Sequence, residues 1–119
     1  MIELVHSLRR VCNHLDDVRG ITLVGMDGLV VEELQLDPLT DLSTLAAELS
    51  VVLKGLGETV SSCSMGQLEN LQIGTEEGVI LVQGVGSEYF FMLVLKPGGN
   101  SGRGRFYLQL EADRVATEI

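Results

Sequence analysis

The chain has 119 residues, 45% of them hydrophobic, with two cysteines, no tryptophan and a formal net charge of −9. A chain of this length is expected to form one domain, residues 1–119, burying roughly two thirds of its unfolded surface without disulfide or metal staples. The acidic balance, with eight scattered Lys/Arg, excludes nucleic acid and anionic membranes as main partners and suits a partner that presents a basic patch.

Met1-Ile2-Glu3-Leu4 carries neither the basic nor the long apolar region of a signal peptide. The longest apolar run, Tyr89–Leu95, is too short to span a bilayer, so a cytoplasmic protein without membrane insertion is expected. Cys12 and Cys63 then read as two reduced thiols. Ile2–Leu15 places Leu4, Leu8, Val11, Cys12 and Leu15 on one helical stripe, with His6, Arg10 and His14 on its polar side.

Gly20–Glu33 follows, two β-branched runs flanking Asp27-Gly28, and predicts a hairpin with a two-residue type I′ turn. Asp37-Pro38-Leu39-Thr40-Asp41 reads as a helix start, with Asp37 as cap and Pro38 in the first turn. From there to about Thr59 runs the longest helical pattern, with Leu42, Leu45, Ala46, Leu49, Val52, Leu53 and Leu56 on its inner face.

Gln67–Thr75 predicts a third strand in which Leu71 and Ile73 alternate with polar residues, while Leu68 is out of phase and marks a bulge or a late start. Val79–Val85 and Tyr89–Leu95 are almost unbroken apolar runs, so both are expected inside the sheet. Pro97–Gly102 reads as a loop, and a closing helix from about Gly104 to Glu118 puts Leu108, Ala112, Val115 and Ile119 on one side. The order is α-β-β-α-β-β-β-α, an α+β domain.

No catalytic motif stands out. Gly99 and Gly104 have phosphate-loop spacing, but Arg105-Phe106 follows where Lys and Ser/Thr are required, so a flexible connection is expected. Gly55-Leu56-Gly57 and Gly84-Val85-Gly86 lack the third glycine of a dinucleotide fingerprint. His6, His14, Cys12 and Cys63 do not converge as metal ligands, and Cys63 has no neighbouring histidine to activate it. The acidic pairs Glu32/Glu33 and Glu76/Glu77 read as solvated turn or strand ends. No cofactor and no metal are expected.

The second helix is more informative. Opposite its leucine stripe it carries Thr44, Ala47, Val51 and Gly55, with Glu48, Lys54 and Glu58 at the borders. A solvated face of so acidic a protein should be more charged, and small residues there let another backbone approach closely. Either a partner or a second neighbour within the chain would cover this face.

Taken together the chain resembles the roadblock (dynein light-chain roadblock) family. The resemblance rests on Val18-Arg19-Gly20-Ile21, Leu23–Val31, Leu45-Ala46-Ala47-Glu48-Leu49, Leu71-Gln72-Ile73 and Gly78–Val82, in this order after a leading helix. It departs at Gly25-Met26, where an acidic residue is often found, and in the long polar loop Gly98–Arg103. The resemblance implies a five-stranded antiparallel sheet flanked by helices, roadblock/profilin-like. It also implies a homodimer with sheets joined edge to edge, its interface at Thr44, Ala47, Glu48, Val51, Lys54 and Gly55 of the second helix and Leu71 and Ile73 of the third strand. In function it implies a regulator or platform for a small Ras-like GTPase, without chemistry of its own. An arginine finger from Arg103 or Arg105, beside the glycine-rich loop, is one form that regulation could take. The competing readings are a ligand-sensing module with a cavity lined by Phe90, Phe91 and Met92, and a thiol enzyme using Cys63.

Overall fold

The computed structural model describes residues 3–38 and 40–118; Ile2, Leu39 and Ile119, which the helical patterns include, lie outside the described residues. The elements are α1 (Leu4–Cys12), β1 (Val18–Gly25), β2 (Val30–Gln35), α2 (Leu42–Ser62), β3 (Asn70–Thr75), β4 (Gly78–Val85), β5 (Tyr89–Leu95) and α3 (Ser101–Ala116). Their order is the predicted one. The strands form a single sheet in the order β2-β1-β5-β4-β3, with every neighbouring pair antiparallel.

Continuous apolar sequence places β4 and β5 inside the sheet, as expected, because a central strand is covered on both faces. On one face α1 and α3 pack side by side, and Leu8, Val11, Leu108, Ala112 and Val115 meet Ile21, Phe91 and Leu93. On the other face α2 turns Leu42, Ala46, Leu49 and Leu53 onto Val24, Phe90, Met92 and Val94. Each fully buried side chain of this kind contributes roughly 1.5–3 kcal/mol of transfer free energy, so the three layers are held mainly by these two cores.

The Asp-Gly turn differs from expectation. Its loop is four residues, Met26–Leu29, and Ser64 is the only non-glycine residue with positive φ among the described residues. Asp27 therefore cannot be the first central residue of a type I′ turn with Gly28; in this loop Gly28 alone takes the left-handed backbone, at φ +90°. The Gly28 N–H donates to the Gly25 carbonyl, the Leu29 N–H donates to Asp27 Oδ1, and the ladder shifts between Leu23 and Val24. The shift leaves one extra residue, Val31, on β2, a bulge beside the longer loop. Glu32 and Glu33 lie within β2 and are half-buried, not at a strand end; Glu76 and Glu77 do form an exposed turn.

The second helix also starts later than its sequence suggests. Its cap is Asp41, whose carboxylate accepts from the Thr44 N–H at 3.1 Å and the Thr44 hydroxyl at 2.8 Å. Those hydrogen bonds, the backbone one foremost, hold the Asp41 carboxyl below its ordinary value of 3.8. Its capping contribution is therefore present above that value and is lost as pH falls through the lowered one. Asp37 instead accepts from Arg19 Nε at 2.6 Å. The closing helix starts earlier than expected, at Ser101, because Asn100 caps it by accepting from the Arg103 N–H at 3.0 Å. The long loop at Gly98–Arg103 is thus a short turn followed by helix. Gly104 is neither loop nor phosphate cradle: it is buried where a Cβ would stand 2.9 Å from Leu81, so its small size lets α3 pack onto the sheet.

Candidate partner-binding surface

The inner stripe of α2 fixes what its outer side presents. With Leu42, Ala46, Leu49 and Leu53 turned into the core, Thr44, Ala47, Glu48, Val51, Lys54 and Gly55 all stand exposed, Val51 at 68%. The within-chain alternative fails here, since α3 lies on the other face of the sheet. Gly55 has nothing within 4 Å of the position a Cβ would take, so no packing inside the chain calls for glycine there. Val52 corrects its assignment to the inner stripe: it borders the outer face at 48% exposure. Its position at the margin of the stripe was the available signal.

The third strand completes this side. It is an edge strand, and it starts at Asn70 and not Gln67, which accounts for the out-of-phase Leu68. Leu71 and Ile73 pair with Val82 and Ile80 and point to the α2 side of the sheet, where both remain half-buried. Because α2 comes closest to the sheet over β1 and β2, Ile80 joins them on a partly uncovered apolar shelf. Sequence reasoning missed Ile80, since a strand inside the sheet was expected to be covered on both faces. Leu71 and Ile73 share the α2 side of the sheet with the outer helix face, while the outer edge of β3 carries backbone groups without a ladder partner.

A cleft of about 620 Å³ opens beside the C-terminal half of α2, lined among others by Leu53, Lys54, Leu68, Val82, Tyr89 and Phe90. Its walls are mixed polar and apolar, and it opens to solvent. The cavity that the competing ligand-sensing reading would need cannot be lined by Phe90, Phe91 and Met92 together, because successive strand residues alternate: Phe90 and Met92 face α2 while Phe91 faces α1 and α3.

The chemistry-bearing residues do not converge. Burial pushes the Cys12 thiol up to about 11, which keeps it protonated at neutral pH and unreactive. Cys63 is exposed at the end of α2, whereas His6 pairs with Glu3 at 3.1 Å and His14 stacks on Tyr107. No group of three metal-binding side chains occurs among the described residues. Arg103 and Arg105 are helical, not in a flexible loop, and sit on the α3 side of the sheet. Arg103 donates to the His14 carbonyl at 2.7 Å and Arg105 to Gln72 at 2.5 Å. The arginine-finger reading thereby loses the flexibility on which it was based. No described helix is long and apolar enough to cross a membrane.

An antiparallel five-stranded sheet between one long helix and a helix pair defines the roadblock/profilin-like fold class. The chain belongs to the Roadblock/LC7 domain family, whose model matches residues 5–96. An MglB structure with tetrameric arrangement is similar at a TM-score of 0.86 and 16% identity, covering 95% of this chain and 85% of that one. The gliding protein MglB of Thermus thermophilus has a TM-score of 0.85 at 16% identity, over 97% of this chain and 89% of its own. MglC of Myxococcus xanthus has a TM-score of 0.73 at 24% identity, over 99% and 100%. At these identities the likeness is one of fold. No curated protein matches the chain in sequence.

Proposed function

We propose that this protein is a homodimeric roadblock-type regulator or scaffold that binds a small Ras-like GTPase and modulates its nucleotide cycle or localisation. The observation that carries this reading is the outer face of α2: small, nearly uncharged at its centre and exposed in a family member. Thr44, Ala47, Glu48, Val51, Lys54 and Gly55, with Leu71 and Ile73 of β3, are proposed as the dimer or partner interface. The tetrameric arrangement of a similar MglB supports the use of this fold in assemblies. A two-fold contact through α2 would bury Val51 on both copies, and the absence of a Cβ at Gly55 would allow close approach. Such a protein acts without chemistry of its own, by binding one switch-loop conformation of the GTPase better than another.

Two measurements test this. Val51→Asp and Gly55→Glu should each lower the mass found by sedimentation to that of a single chain, with an unchanged circular dichroism spectrum; an unchanged mass rejects the α2 interface. Immobilised protein should retain a small Ras-like GTPase from the same genome, with different yields in its GDP and GTP-analogue states. Recovery of none in either state rejects the regulatory reading. The open cleft gives the ligand-sensing alternative its one supporting feature, and lacks the enclosure such a site usually has.

A further inference from the structure

Five of the chain's eight basic residues, Arg9, Arg10, Arg103, Arg105 and Arg114, lie on α1 and α3, against two of its seventeen acidic ones, Glu111 and Asp113. The helix pair is therefore the most basic layer of a strongly negative chain, with Glu3 and Glu118 standing at its ends and Asp17 beside the start of α3. Arg10 is committed to Glu111 and Arg105 to Gln72, whereas the side chains of Arg9 and Arg114 have no polar partner among the described residues.

Within this layer α3 exposes apolar surface. Arg103, Phe106, Tyr107, Leu110 and Arg114 recur at the spacing of one helix side, with Phe106 61% and Leu110 52% exposed. Phe106 thus stands at the surface with the half-buried Tyr107 beside it, and both are held in place there. Tyr107 stacks on the His14 ring at 4.0 Å between centroids, Phe106 meets it edge-on at 5.1 Å, and the Arg103 guanidinium lies 5.7 Å from its centre. Aromatic and arginine side chains ordered before binding are what interface centres are built from, because little freedom remains to be lost.

We propose that this face of α3, with His14 beside it, is a second docking surface, for an acidic amphipathic segment of a partner protein. Phe106 and Leu110 take its apolar side chains, and Arg103 and Arg114 its carboxylates. The charge contrast between this layer and the rest of the chain selects an acidic partner, and the planar guanidinium fork matches a carboxylate better than an ammonium does. An anionic membrane is served less well: Asp113 stands on the same exposed side, and the free arginines fall short of the four to eight basic residues of a lipid-binding cluster. The surface lies across the sheet from α2, so the proposal is independent of the interface argued above.

The test uses fluorescence anisotropy of a labelled synthetic helical peptide with leucines on one side flanked by glutamates, beside its glutamine counterpart. The glutamate peptide should bind at least about 10-fold more tightly, and weaken as salt is raised. Phe106→Ser and Arg114→Glu should each weaken it about 10-fold or more while the thermal melt is unchanged. Leu110→Ser replaces Phe106→Ser if the latter lowers the melt. Equal binding of the two peptides, or undiminished binding by the variants, overturns the proposal. So does sedimentation of the protein with phosphatidylserine vesicles in place of peptide binding, which would assign the face to lipid. A fall in mass on Phe106→Ser would assign it to a second copy and likewise overturn the proposal.

Discussion

Replacing Gly78 with alanine should lower the unfolding free energy by about 3 kcal/mol or more, read from the urea midpoint. Gly78 opens β4 immediately after the Glu76-Glu77 turn, at φ +152°, a backbone conformation that side chains with a Cβ rarely adopt. A Cβ there would stand on the carbonyl oxygen of Leu95, a backbone atom in the neighbouring strand that cannot swing aside as a side chain would. Relief requires β4 to shift along β5, and that disturbs the pairing of Val79 with Leu95 and Leu81 with Leu93 at the centre of the sheet. Gly57→Ala supplies the opposite case. It lies within α2 with nothing within 4 Å of its Cβ position, so alanine should stabilise by roughly 0.5–1 kcal/mol. If the two substitutions move the midpoint alike, the close approach at Gly78 is not what fixes this hairpin.

Arg10→Met should cost about 2 kcal/mol, and most of the loss should return in the double variant Arg10→Met/Glu111→Leu. Glu111 is only 5% exposed beneath α1, and its carboxylate accepts three hydrogen bonds from Arg10, two from Nε at 3.2 Å and one from Nη2 at 2.7 Å. The Arg10 Nη2 also donates to the buried Ser7 hydroxyl at 3.1 Å. Hydrogen bonding to Glu111 is the largest influence holding the guanidinium above its ordinary pKa, against the opposing effect of burial. Removing the arginine leaves a carboxylate in a dry site, whereas removing both charges lets the helices close over apolar atoms. Because the Arg10 side chain is 41% exposed, water partly compensates and the loss stays below that of a fully buried pair. Equal losses in the single and double variants, measured by chemical denaturation, would show that the two residues are not coupled.

Local pattern carried most of the fold into view. Val79–Val85 and Tyr89–Leu95 read as central strands because apolar residues on both sides of a strand require two covering layers. The stripe of α2 was equally plain, and it made the opposite face conspicuous for its lack of charge. What escaped the sequence was decided by distant partners. Asp37 is as good a cap as Asp41 by type, but Arg19, reached through the β1–β2 pairing, takes its carboxylate. The glycines at 98–104 looked like a loop, yet Asn100 caps a helix that starts among them, and Gly104 is small because Leu81, Leu93 and Leu95 press against it. The pairing of Arg10 with Glu111, and the stacking of His14 on Tyr107, link chain segments about a hundred residues apart in sequence. Neither helix pattern announces such a contact.

The two edges of the sheet have different consequences for association. Both β2 and β3 offer backbone groups to any passing strand, which is the usual route to uncontrolled aggregation. The β2 edge carries Glu32 and Glu33 and is distorted by the bulge near its start, whereas β3, from Asn70 to Thr75, bears no charge. Two β2 edges brought together would set four carboxylates against one another, while two β3 edges meet no such repulsion. A sheet continued through β3 would end on β2 at either side and go no further. Asymmetry between edges thus makes strand-to-strand growth self-terminating, so this acidic chain can remain sticky on one side without forming fibres.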